Sequence, residues 1–102
     1  MTTRKANFSD LIDSDQPVLI DFFATWCGPC KMMPPILREV KESAGDKVLI
    51  IKIDVDKNPQ IAKKFSIRGV PTLMMFKNGK AIWQESGVQT ATTILQIVKQ
   101  HT

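Results

Sequence analysis

Two apolar runs of strand length, Pro17–Phe23 and Val48–Val55, fix most of what this chain can become. Both are apolar at nearly every position instead of every second one, the pattern of strands covered on both faces, so helices must lie above and below a sheet. Between them Met33, Ile36, Leu37 and Val40 recur at helical spacing from Cys30 to about Ser43, with Gly45 as the stop. Pro34 and Pro35 stand in tandem inside this pattern. If the helix starts near Gly28 or Pro29, Pro35 lies beyond the first turn, where proline removes a hydrogen bond, and a kink is expected there.

The rest of the chain follows the same alternation. Asn7 is placed to cap a short amphipathic helix carrying Phe8, Leu11 and Ile12. Asn58-Pro59 reads as a cap and first helical position, opening a helix through Ile61, Ala62 and Phe65. Thr72–Phe76 is a third strand, and Asn78-Gly79 after it is a strong hairpin signal, so Ala81 to about Ser86 should return antiparallel. Gly87 suggests a bulge or a close backbone approach, and Thr90–Gln100, with Ile94, Ile97 and Val98 on one face, a closing helix. The order α-β-α-β-α-β-β-α implies an α/β fold with a mixed sheet flanked by helices on both faces. With 102 residues, 43% of them apolar, residues 1–102 suit a single domain.

The formal net charge of +4 is spread, and Lys and Arg run no further than pairs such as Arg4-Lys5 and Lys63-Lys64. A nucleic-acid surface would want a basic stripe with interleaved aromatics, so no nucleic-acid role is expected. The excess instead favours docking to acidic partner surfaces. Residues 1–7 are polar, without the apolar core of an export signal, and no run reaches a membrane span. A cytoplasmic location without membrane association is the expectation.

The chemistry concentrates in Trp26-Cys27-Gly28-Pro29-Cys30-Lys31, which holds both cysteines of the chain. A zinc site needs four ligands, and only His101 could add to the pair. A structural disulfide closing so small a loop gains little chain entropy. In a reducing compartment a lone pair at this spacing beside a β-α-β pattern points to reversible redox chemistry. Asp21 and Lys52 each interrupt an apolar run. Asp21 shares the face of Leu19 and Phe23, so it is either a buried carboxylate below the cysteines or one at a fraying strand end. Lys52 is either its partner on a neighbouring strand or a lysine snorkelling from a strand end.

These motifs together resemble the thioredoxin family. The Trp-Cys-Gly-Pro-Cys-Lys signature, Asp21, Lys52, Arg68-Gly69-Val70-Pro71-Thr72 and Phe76-Lys77-Asn78-Gly79 occur in order across about residues 8–101. The resemblance implies a thioredoxin fold with four or five strands and a protein-disulfide oxidoreductase that needs no cofactor or metal beyond the Cys27–Cys30 pair. It implies that Cys27 is the exposed attacking thiol at a helix N-terminus, where the dipole favours a thiolate. Cys30 is then the buried resolving thiol, Asp21 the acceptor of its proton and Lys52 the group that tunes Asp21. It also implies that Pro71 is cis and that Val70 pairs its backbone with substrate, with Trp26, Gly28, Pro29, Gly69 and Gly87 completing a flat docking surface. The implied partners are a thioredoxin reductase as electron donor and varied disulfide-containing proteins, met by a monomer. The dipeptide Gly28-Pro29 points to a reducing member. Two rivals are an oxidant in an exported compartment and a binding module using the same surface.

Three positions depart from the family pattern. Phe23 stands where many members have tryptophan. Ser86 is more polar than the usual aliphatic residue, which bears on docking. The stretch before Phe8 lacks the alternation of a first strand, which is therefore expected to be short or absent.

Overall fold

A computed structural model describes residues 7–102; the expectation about an N-terminal strand lies outside the described residues. Four strands, β1 (Val18–Phe23), β2 (Leu49–Asp54), β3 (Thr72–Lys77) and β4 (Lys80–Ser86), form one mixed sheet in the order β2-β1-β3-β4. The pairing is parallel between β1 and β2 and antiparallel from β1 to β3 and from β3 to β4. Among the described residues four α-helices accompany them: α1 (Phe8–Ile12), α2 (Met33–Ala44), α3 (Pro59–Lys64) and α4 (Ala91–Gln100).

The pleat of β1 divides the core. Val18, Ile20 and Phe22 face one way, packing with Met74 and Phe76 against Phe8 and Ile12 of α1 and Ile61 of α3. Leu19 faces the other way and joins Leu73 and Met75 against Met33, Leu37 and Val40 of α2 and Ile94 and Val98 of α4. Helices on both faces are what the continuous apolar run demanded. On the first face the rings of Phe8, Phe65 and Phe76 meet edge to face or tilted, with centroids 5.3 to 5.8 Å apart.

Several sequence expectations are corrected. β2 is not buried on both faces: only Ile53 is buried, and Leu49 is 37% exposed. Among the described residues β2 is one of the two edge strands, paired on one side only, so its side chains overhang the margin of the helical layers. Pro34 and Pro35 do not sit inside a continuous α-helix, because Pro29–Met32 is a short 3-10 turn and α2 proper begins at Met33. Both prolines thus fall in the first α-turn, where missing N–H groups cost nothing. Asn58 makes no cap with its side chain; its Nδ2 donates to the Asp54 carbonyl instead, at 3.0 Å. The bulge is at Ile82, where the register slips between Met75 and Phe76, and not at Gly87. Gly87 is needed for its φ of +87°, and its N–H donates to the Pro71 carbonyl at 2.8 Å.

The hairpin matches its signal. Asn78 and Gly79 both have positive φ, at 53° and 79°, as a tight turn matched to the twist of β3 and β4 requires. Their N–H groups donate to the carbonyls of Ser14 and Ile12, tying the turn to the loop before β1. Gly79→Ala should destabilise the fold by about 1 kcal/mol, the cost of placing a Cβ in left-handed backbone. Urea unfolding with an unchanged m-value would check this, and wild-type stability would contradict it.

Candidate redox site

Cys27 and Cys30 are joined as a disulfide, with their Cα atoms 5.4 Å apart. They sit where β1 ends and the 3-10 turn at Pro29 begins, so the end of a buried strand fixes one side of the pair and a helical segment the other. The Cys30 N–H points at Cys27 Sγ, 3.1 Å away. This N–H belongs to the start of the helical segment and is placed to stabilise negative charge on that sulfur once the bond opens. In the disulfide form both residues are largely buried, Cys27 at 4% and Cys30 at 6% exposure, so burial alone does not mark Cys27 as the exposed thiol.

The sulfurs differ in what lies beside them. Cys27 Sγ lies 3.6 Å from the carbonyl of Val70. The Val70–Pro71 peptide bond is cis, and the loop around it is closed by the Thr72 hydroxyl, which donates to the Gly69 carbonyl at 2.7 Å. A small cleft of about 90 Å³ beside this loop is lined by Trp26, Val55, Ile67, Arg68, Gly69 and Val70. Cys30 instead lines a separate cavity of about 270 Å³ together with Asp21, Phe23, Pro34 and Lys52.

Asp21 is 2% exposed, which removes the fraying-end alternative. Its partner in the β1–β2 register is Lys52, so the two side chains project from one face of neighbouring strands. Burial pushes the Asp21 carboxyl up from 3.8 to about 6, while the Lys52 charge pulls the other way. A group with that value gives and takes a proton near neutral pH, as a general base should.

Trp26 is no core residue: it is 71% exposed. Its Nε1–H donates to the Asp56 carboxylate at 2.8 Å, and this bond joins the cysteine loop to the loop after β2. Nothing in the sequence pattern singles out Asp56, and no periodicity or spacing could have linked it to a residue 30 positions away. A Cβ added at Gly28 or Gly69 would meet nothing within 4 Å, so the space these glycines leave open lies outside the molecule. No group of three or more potential metal ligands occurs among the described residues.

The thioredoxin family model matches residues 1–100. Among curated relatives, a thioredoxin of Alicyclobacillus acidocaldarius subsp. acidocaldarius is 48% identical over 89 residues, covering 87% of this chain and 85% of that one. Thioredoxin Y1, chloroplastic, of Arabidopsis thaliana is 46% identical over 94 residues, covering 91% of this chain but 55% of that one. The crystal structure of Malassezia sympodialis thioredoxin superposes with a TM-score of 0.81 at 42% identity, over 92% of this chain and 82% of that one. With this match over nearly the whole chain and a cysteine pair at disulfide distance, the chain belongs to the thioredoxin family of protein-disulfide oxidoreductases, acting by thiol–disulfide exchange.

Proposed function

We propose that this chain is a general protein-disulfide reductant, with Cys27 as the attacking thiol and Cys30 as the resolving one. The observation that carries the assignment is the asymmetry of the pair: Cys27 Sγ lies against the Val70 carbonyl at the surface loop, whereas Cys30 shares a cavity with Asp21. In the reduced chain the Cys27 thiolate attacks one sulfur of a substrate disulfide, forming a mixed disulfide and releasing the other substrate sulfur as a thiolate. Asp21 takes the proton of Cys30, with Lys52 setting how readily it does so. The Cys30 thiolate then attacks Cys27, closing the bond seen here and releasing the substrate reduced.

Docking rests on the cis-Pro71 loop. Val70 offers backbone to an extended substrate segment in the manner of strand addition, and Trp26, Gly28, Pro29, Gly69 and Gly87 keep the surrounding surface flat. Exposed Trp26 and the open space at Gly28 and Gly69 support this reading. Electrons then return from a thioredoxin reductase, and the substrates are varied proteins met by a monomer. A cytoplasmic setting fits the bacterial relatives, although the Arabidopsis relative is chloroplastic by name. No helix among the described residues is long and apolar enough to cross a membrane.

The direction of electron flow is tested by the equilibrium potential of the pair against glutathione or dithiothreitol buffers. A potential more negative than about −230 mV is expected, because Gly28-Pro29 places no cation beside the thiolate; a value near about −120 mV, the range of dedicated oxidants, would reverse the assignment.

A further inference from the structure

Among the described residues three large apolar side chains stand exposed, Trp26 at 71%, Met32 at 57% and Leu49 at 37%. Leu49 belongs to the outer strand β2, but the other two bracket the cysteine pair, one residue before Cys27 and two after Cys30. Met32 is the last residue of the 3-10 turn that begins at Pro29, a segment in which Pro29 and Lys31 are also exposed and Met32 is the one exposed side chain that is both large and apolar. Cys30 is 6% exposed and Met33 is fully buried. The other methionines of the described chain, Met74 and Met75, are also buried, at 2% and 0%. Among the described residues the chain therefore presents one accessible thioether, and it presents it beside the redox centre.

More than half of that residue's surface is open to solvent. An unbranched, polarisable thioether adapts to partners of varied shape, which suits a surface that must accept many proteins. Its sulfur is also the group an oxidant meets first where the cysteines are already joined. We propose that Met32 extends the substrate-docking surface past Cys30 and is a modification site for hydrogen peroxide, whose product weakens docking. The inference rests on the reductase reading above. The Met32 sulfur gives two electrons to the peroxide and takes one of its oxygen atoms as the sulfoxide; the other leaves as water with both protons. An apolar contact becomes a polar one, so protein substrates dock less well while the thiol chemistry continues.

The experiment treats the disulfide form with hydrogen peroxide, maps the oxidised residue by peptide mass spectrometry, and then measures the reduction of insulin and of a small aromatic disulfide with dithiothreitol as donor. Oxidation should map to Met32 and raise KM for insulin on the order of fivefold with kcat held, as loss of one interfacial contact does. The small disulfide, which needs no docking surface, should react as before. Met32→Gln should reproduce the raised KM without peroxide, and the KM of Met32→Leu, whatever its untreated value, should not change on peroxide treatment. A Met32→Gln protein with wild-type KM would overturn the docking role, and a Met32→Leu protein that still loses affinity on treatment would overturn Met32 as the sensitive residue. Failure of the untreated wild type on both substrates would sink the reductase reading itself, which separates the two conclusions.

Discussion

Cys27→Ser should abolish turnover of protein disulfides, whereas Cys30→Ser should stop the reaction one step later and leave the substrate attached. The two variants differ because the sulfurs have different neighbours. Cys27 Sγ lies against the Val70 carbonyl, on the loop proposed to dock an incoming chain, and receives the Cys30 N–H. Without that sulfur the remaining thiol is Cys30, turned to the Asp21 cavity and away from the Val70 loop, and serine cannot replace Cys27, since an alcohol lacks both the acidity and the disulfide chemistry of a thiol. Without Cys30 the first exchange still proceeds, but the mixed disulfide has no intramolecular thiol to open it. Non-reducing electrophoresis should therefore show a covalent adduct with Cys30→Ser, cleared by dithiothreitol, and none with Cys27→Ser. The opposite pattern would exchange the two roles. If the doubly substituted chain retained the biological activity of the wild type, a binding module would be the better description.

Much of this site was legible in the residues because its chemistry is local. The cysteine spacing, the Asn78-Gly79 turn and the face shared by Asp21 with Leu19 depend on neighbours within a few positions, and the structure keeps each of them. The choice between the two readings of Lys52 was not local. The register, a property of two strands separated by a whole helix, sets Lys52 opposite Asp21 while the lysine itself stays exposed, so each reading holds in part. The same limit explains the error at β2: an apolar run records what a strand could bury, and the neighbours that decide what it does bury are set by sheet order. Pro71 carries no local mark of its cis bond, and only the company of the other motifs pointed to it. Asp56 was missed because its role consists of one long-range bond to Trp26. Gly87 keeps one of its two readings: the bulge falls at Ile82, while the Gly87 N–H meets the Pro71 carbonyl in a close backbone approach, at a positive φ that the sequence does not mark.

The same burial that equips Asp21 as a base should make the fold less stable at neutral pH than it would be without the charge. In the folded chain the carboxyl titrates at about 6 instead of 3.8, because desolvation disfavours its ionised form more than Lys52 favours it. Between those two values the folded state holds more protons than the unfolded state, so stability falls as pH rises through the window and the full cost is present above it. A shift of this size corresponds to roughly 3 kcal/mol. Asp21→Asn keeps the shape and removes the ionisation, although its buried amide needs partners of its own and gives back part of the gain. The stability of the variant minus that of the wild type, both measured in the disulfide form by urea unfolding, should therefore climb across the window between 3.8 and about 6 and level off above it. Taking this difference cancels the other carboxylates, and a flat difference across the window would show that Asp21 does not titrate as its burial requires. Function should move the other way. With no carboxylate in the cavity to accept the Cys30 proton, release of the mixed disulfide near pH 7 should slow by about tenfold or more, and recover at alkaline pH where the thiol ionises unaided. A variant that is more stable yet slower to resolve would place the cost of burying Asp21 in the service of the second exchange; equal resolving rates at every pH would remove Asp21 from the mechanism and leave Cys30 to lose its proton directly to solvent.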